Sequence, residues 1–205
     1  YLGRSPSAEL SVGPYLTWLL TGIPDSFLNV VFRTQLPTDG AGELIDETLA
    51  HFRSRNVKRL SWWADRDAPR TDLDKYLVTH GLTFDEGRTG MAADLMTLPE
   101  DLPRSTGLTI TPVEDKATLQ HWIHVTGIGF GIPEHGESRL CDLFADLAFE
   151  MPMRSYLAVL NGQPVGTSQL FLSAGVAGIY NVACLPEARR QGVGAAITLA
   201  ALLEA

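Results

Sequence analysis

Gly175-Val176-Ala177-Gly178-Ile179-Tyr180-Asn181-Val182-Ala183-Cys184-Leu185-Pro186-Glu187-Ala188-Arg189-Arg190-Gln191-Gly192-Val193-Gly194-Ala195-Ala196-Ile197 decides the fold. It reads as a strand over 175–183, a polar loop with two arginines and two spaced glycines, and an apolar helix running to the end of the chain. The first amides of a helix have no partner within it, and the helix dipole places partial positive charge there, so such an end attracts an anion. Gly192 and Gly194 lack Cβ atoms and let the backbone approach a phosphate closely. Arg189, Arg190 and Gln191 can add charge or donors at the rim.

Two familiar phosphate loops do not fit. A P-loop needs Gly-Lys-Ser/Thr after its glycines, and none is present. The dinucleotide fingerprint G-x-G-x-x-G accommodates Gly192 and Gly194 but meets Ile197 at its third glycine. Gly127 and Gly129 fail the same test at Ile132.

The pattern that fits is [RQ]-x-x-G-x-[GA], carried by Arg189, Gly192 and Gly194. With the approach Ile179 to Pro186, the chain resembles the GNAT superfamily of N-acetyltransferases, Cys184 standing where that family usually has Val. Over 108–205 the expected order of strand, helix, helix, strand, turn, strand, strand, loop and helix is similar to the family's. Asn161-Gly162 supplies the tight hairpin turn. The fold class implied is α/β, a GNAT-like mixed, mostly antiparallel sheet flanked by helices, in two GNAT-like modules.

The resemblance implies acetyl-CoA as co-substrate and an amine as acceptor, attacking the thioester without a protein nucleophile. Amides of Gln191, Gly192, Val193, Gly194 and Ala195, with Arg189 and Arg190, are expected around the pyrophosphate. The strand edge at Val182, Ala183 and Cys184 is expected to pair with the pantetheine arm. Tyr180 and Asn181 are the polar groups nearest the expected chemistry and are the catalytic candidates. Trp122, Phe130, Glu134 and His135 are candidate acceptor contacts, because the family's first two helices line that side. The alternatives are a non-catalytic acyl-CoA-binding or regulatory module and a scaffold piece.

The rest of the chain sets the frame. Leu98 to Gly107, with Pro99 and Pro103, reads as a linker between a module at 1–98 and one at 107–205. In the first module we expect a helix only after Pro14, a strand over 28–36, a helix over 43–55, a strand over 57–64, a helix from about 72 to 80, and short strands at 82–84 and 90–95. Leu77-x-x-His80-Gly81-Leu82 is similar to a helix end common in the same family, so this module reads as a degenerate relative. Its loop, Thr34 to Gly42, lacks R-x-x-G-x-G, and no CoA is expected there. In the second module, helices are expected to about Thr126 and over 136–149, with a loop over 127–133. Both chain ends read as cut from a longer sequence, with the family's fifth strand, fourth helix and closing strands missing. Strand 57–64 is expected to cover the outer edge of strand 175–183.

The net charge of −8 disfavours nucleic acid. The two cysteines, Cys141 and Cys184, form neither a disulfide framework nor a zinc motif. His121 and His124 share a helix face but lack a third ligand, and no metal is expected. Without a long apolar run or a visible signal peptide, a cytoplasmic protein that avoids membranes is expected, with a homodimer possible.

Overall fold

The structure is a computed structural model. It describes every residue except 38, 64–72, 86–89, 99–104, 146, 148 and 150. The chain divides into two compact units, Tyr1–Met91 and Ala92–Ala205. The division falls before the 98–107 linker read from sequence, and 99–104 lie outside the described residues.

The first unit holds a four-stranded sheet in the order β1-β2-β3-β4. Its strands are β1 (Glu9–Val12), β2 (Thr17–Leu20), β3 (Asn29–Phe32) and β4 (Ser61–Trp62), with helices α1 (Ala41–Ser54) and α2 (Leu73–Thr79). The first three strands are antiparallel neighbours, and β4 joins β3 in parallel. The helix expected after Pro14 is therefore a strand. Glu9-Leu10-Ser11-Val12 alternates, Thr17 and Trp18 suit a pleated surface, and the Gly13 amide donates to the Leu16 carbonyl at 2.8 Å to close the hairpin around Pro14. α1 carries Ile45, Leu49 and Phe52 at helical spacing; Phe52 packs with Leu20 and Val31 of the sheet, Ile45 and Leu49 with Leu73 and Leu77 of α2.

The strands expected at 82–84 and 90–95 are not formed: 82–85 and 90–94 are irregular, and Leu95–Thr97 is a 3-10 turn started by the Asp94 carboxylate. Of the run 57–64, whose last residue lies outside the described ones, only Ser61 and Trp62 form a strand. These pair with Val30 and Val31 of β3; among the described residues β4 and the 175–183 strand belong to different sheets and share no ladder, contrary to the pairing expected from sequence. Of the adjacent tryptophans, Trp62 is half-buried with its indole N–H on Thr34 Oγ1 at 3.0 Å, and Trp63 is exposed.

The second unit has an antiparallel sheet in the order β5-β6-β7-β8. The elements are β5 (Leu108–Pro112), α3 (Lys116–Phe130), α4 (Glu134–Phe144), β6 (Met153–Leu160), β7 (Gln163–Ser173), β8 (Val176–Cys184) and α5 (Val193–Leu203). Asn161 and Gly162 both have positive φ, 51° and 81°, as a tight primed turn requires. α5 lays Val193, Ala196, Ile197 and Ala201 on Tyr156, Ala158, Val165 and Leu170 of the sheet. α3 covers the opposite face, where the buried Trp122 indole donates to the Ser168 carbonyl at 3.2 Å.

α3 starts in a capping box at Asp115 and Thr118. Thr118's backbone and side-chain donors lower the Asp115 pKa, foremost its amide. The helix does not stop at Thr126; it runs through Gly127 and Gly129 to Phe130, and Gly131 ends it in the left-handed region at φ 68°. The two inner glycines are packing residues. A Cβ on Gly129 would lie 2.4 Å from the Ala183 Cβ, and one on Gly127 2.9 Å from Glu137 Oε1. α4 likewise ends at Phe144, short of the expected Phe149.

Candidate acyl-carrier site

β8 stands last in its sheet and pairs, among the described residues, with β7 only. It leads through Leu185 and the 3-10 turn Pro186–Ala188 into the arginine loop. Arg190 and Gly192 both take left-handed conformations, φ 61° and 76°. Gly192 is the N-cap of α5, and among the described residues no side chain caps that end. The first amides of the helix therefore stay open to an incoming acceptor. A Cβ on Gly194 would meet nothing within 4 Å among the described residues, so this position faces open space. Behind it, Gly166 is tight: its Cβ would lie 2.8 Å from Val193 Cγ1. β7 and the start of α5 thus fix each other's position.

The rim residues differ in freedom. Arg189 donates through Nε to the Cys184 carbonyl at 3.3 Å, leaving its two terminal nitrogens for a ligand. Gln191 turns back on its own loop and donates to the Glu187 carbonyl at 2.9 Å. Its side chain is committed, and only its backbone serves the loop. The Gln191 carbonyl in turn accepts from the Ser105 hydroxyl. Arg190 is exposed.

On β8, Val182 is exposed, Ala183 buried and Cys184 half-buried. Burial pushes the Cys184 thiol up from its ordinary value; nearby Arg189 opposes the rise and Glu187 adds to it. The neutral thiol therefore dominates at pH 7, unlike an activated nucleophile. We expect Cys184 to be alkylated by iodoacetamide more slowly than free cysteine at pH 7, and to speed up only at alkaline pH. Peptide mapping of a pH series measures this. Fast labelling at neutral pH would show instead that the Cys184 thiol is activated as a nucleophile.

Tyr180 is exposed, with its ring lying over Gly178 and no hydrogen bond to its hydroxyl among the described residues. Asn181 is half-buried, and its side-chain amide donates to Gln169 Oε1 at 2.9 Å. Trp122 is 0% exposed and stacks edge-on with Phe144. It is a core residue, and its expected place among the acceptor contacts is corrected accordingly. Phe130, Glu134 and His135 are exposed at the corner between α3 and α4. That corner begins one residue beyond Gly129, which rests on Ala183 of β8. Glu137, for which the sequence carries no signal, spans the two helices to His124 Nδ1 at 3.4 Å. Among the described residues, no group of three or more His, Cys, Asp or Glu is placed to hold a metal ion, and no helix is long and apolar enough to cross a membrane.

In the first unit, the loop before α1 is built differently. Gly40 caps the helix at φ 80°, but Glu43 puts an acid in the first turn. Gly42 faces the Tyr76 ring, where a Cβ would lie 3.3 Å from Cε1. That glycine serves packing between α1 and α2.

Residues 119–205 match the model of the acetyltransferase (GNAT) family. No curated protein matches the chain in sequence. Among solved structures, a GCN5-related N-acetyltransferase from Kribbella flavida aligns with 99% of this chain and 76% of its own, at TM-score 0.65 and 22% identity. A conserved protein of unknown function from Staphylococcus epidermidis aligns with 94% of this chain and 77% of its own, at TM-score 0.61 and 13% identity. Over 119–205 the sequence is similar to the acetyltransferase (GNAT) family, and over almost the whole chain the mixed α/β fold is similar to that of the Kribbella flavida protein.

Proposed function

We propose that the second unit binds acetyl-CoA and that the protein transfers its acetyl group to an amine. The observation that carries this is the uncapped N-terminus of α5 behind a left-handed Gly192, directly downstream of a strand whose outer edge pairs with no other strand among the described residues. Pyrophosphate takes the amides of Gln191 to Ala195, with Arg189 and Arg190 neutralising its charge. The pantetheine arm runs along Val182, Ala183 and Cys184 as an added strand. A backbone amide there polarises the thioester carbonyl as it becomes an oxyanion.

The chemistry is direct. A neutral amine nitrogen attacks the thioester carbon, the C–N bond forms, the C–S bond breaks, and coenzyme A leaves as a thiolate that takes a proton. The amine also loses a proton. Tyr180, exposed at that edge, is the group of this chain we assign to proton transfer. Phe130, Glu134 and His135 form the acceptor side, where Glu134 attracts an amine that arrives as a cation and must release a proton before its nitrogen attacks. We further propose that the first unit is a degenerate copy of the same fold that takes no cofactor.

Calorimetric titration with acetyl-CoA tests the core of this reading. We expect saturable one-to-one binding that weakens as salt is raised, because phosphate–arginine contacts are screened. A folded chain that shows no binding heat and no ligand-induced rise in Tm would overturn it. Binding without turnover across an amine panel would leave an acyl-CoA-binding module in place of an enzyme.

A further inference from the structure

β8 breaks its ladder once. Thr167 pairs with Ala183 and Gln169 with Tyr180, so Ser168 alone faces Asn181 and Val182. Two residues against one is a β-bulge, which bends the strand and redirects the residues beyond it. Asn181 sits in it at φ 51°, a conformation that non-glycine residues keep only where neighbours hold it.

Two short chains of hydrogen bonds do the holding. Asn181 Nδ2 donates to Gln169 Oε1 at 2.9 Å, and Gln169 Nε2 donates to Ser155 Oγ at 3.0 Å. Gln169 is 4% exposed and Ser155 0%. The Asn181 carbonyl accepts from Thr167 Oγ1 at 2.9 Å, and Thr126 Oγ1 donates to Thr167 Oγ1 at 3.3 Å. Across the gap, the Ser168 carbonyl takes the Trp122 indole N–H at 3.2 Å. Side chains thus take up a carbonyl on each strand beside the bulge. Buried polar groups are costly unless each is satisfied, and the bonds these make converge on the bulge.

We propose that Gln169, with Thr167, is a positioning residue. The pair locks Asn181 in its left-handed conformation and thereby sets the direction of Val182 to Cys184. Asn181 belongs to this frame, with its side-chain amide donating to Gln169. The consequence for the cofactor rests on the function proposed above, whereas the lock rests on the hydrogen bonds alone.

The test compares the parent chain with Gln169→Met, Asn181→Gly and the double variant. Hydrogen exchange of the 181–184 amides by NMR is read beside acetyl-CoA affinity. Gln169→Met is expected to raise exchange at 181–184 and to weaken affinity about tenfold, the scale of one lost hydrogen bond. Asn181→Gly is expected to stay within about twofold of the parent, since glycine takes positive φ unaided. In the double variant it restores most of the lost affinity, a rescue that general destabilisation would not give. Thr167→Val, which removes the second tether, gives the same change in exchange should Gln169→Met fail to fold. Unchanged exchange at 181–184 in a folded Gln169→Met chain, or in Thr167→Val where Gln169→Met does not fold, removes the lock. A double variant that binds as poorly as Gln169→Met removes the positioning role. A parent chain that binds no acetyl-CoA defeats the functional reading, and exchange alone then upholds or removes the lock.

Discussion

Gly192→Glu is expected to weaken acetyl-CoA binding by at least about a hundredfold while leaving the chain folded. Two effects act at this position. Gly192 caps α5 at φ 76°, where a side chain costs about 1–2 kcal/mol of backbone strain. That cost falls on stability. The second effect falls on binding: a carboxylate enters the space that the proposed pyrophosphate fills. Two unit charges about 4 Å apart near a protein surface repel by about 4 kcal/mol, roughly a thousandfold in affinity before side-chain movement reduces it. Gly192→Asn separates the two effects, because asparagine tolerates the left-handed region and carries no charge. It is expected to lose about tenfold or less. Calorimetry on both variants, with circular dichroism as the folding check, reads the difference. A folded Gly192→Glu chain with parental affinity would place the phosphates elsewhere.

The same segment shows why part of the site was legible in sequence. Gly192 and Gly194 sit between an apolar strand and an apolar helix, and each element announces itself by composition and period. The loop's anion-binding character follows from the helix start alone. The features that escaped sequence reading are held by tertiary packing. Gly127 and Gly129 look like helix breakers, yet they lie inside α3 because a neighbour occupies the place of their Cβ atoms. Leu16, Trp18, Leu19 and Leu20 are apolar enough for a helix after Pro14, but Thr17–Leu20 instead pairs with Glu9–Val12 in a hairpin. Trp122 looked like a pocket aromatic because nothing local says which face of α3 is inward. The bulge at Asn181 has no local signal either. Its support does: Thr167, Ser168 and Gln169 interrupt a central strand with three consecutive polar residues, a break of the period-2 pattern that marks buried polar work.

The two glycines inside α3 make opposite predictions for one chemical change. Glycine to alanine in a helix interior gains about 1 kcal/mol from backbone entropy when the new methyl meets no obstacle. At Gly127 the obstacle is the end of a flexible side chain, Glu137 Oε1 at 2.9 Å from the ideal Cβ. That carboxylate is partly exposed and can swing away, giving up a 3.4 Å contact with His124 that is worth little at the surface. Gly127→Ala is therefore expected to be neutral or to raise Tm by a few degrees. At Gly129 the obstacle is the Ala183 Cβ at 2.4 Å, attached directly to β8. It has no rotamer to change, so either the helix or the strand must move. Overpacking of this kind costs about 1–3 kcal/mol, which outweighs the propensity gain. Gly129→Ala is expected to lower Tm by several degrees and to weaken acetyl-CoA binding, because the displaced strand is the one assigned to the pantetheine arm. Gly129→Ala/Ala183→Gly moves the methyl from strand to helix and is expected to recover both. A Gly129→Ala chain as stable as Gly127→Ala would mean that α3 does not press on β8 at all, and that the acceptor corner beyond Gly129 is not held against the cofactor strand.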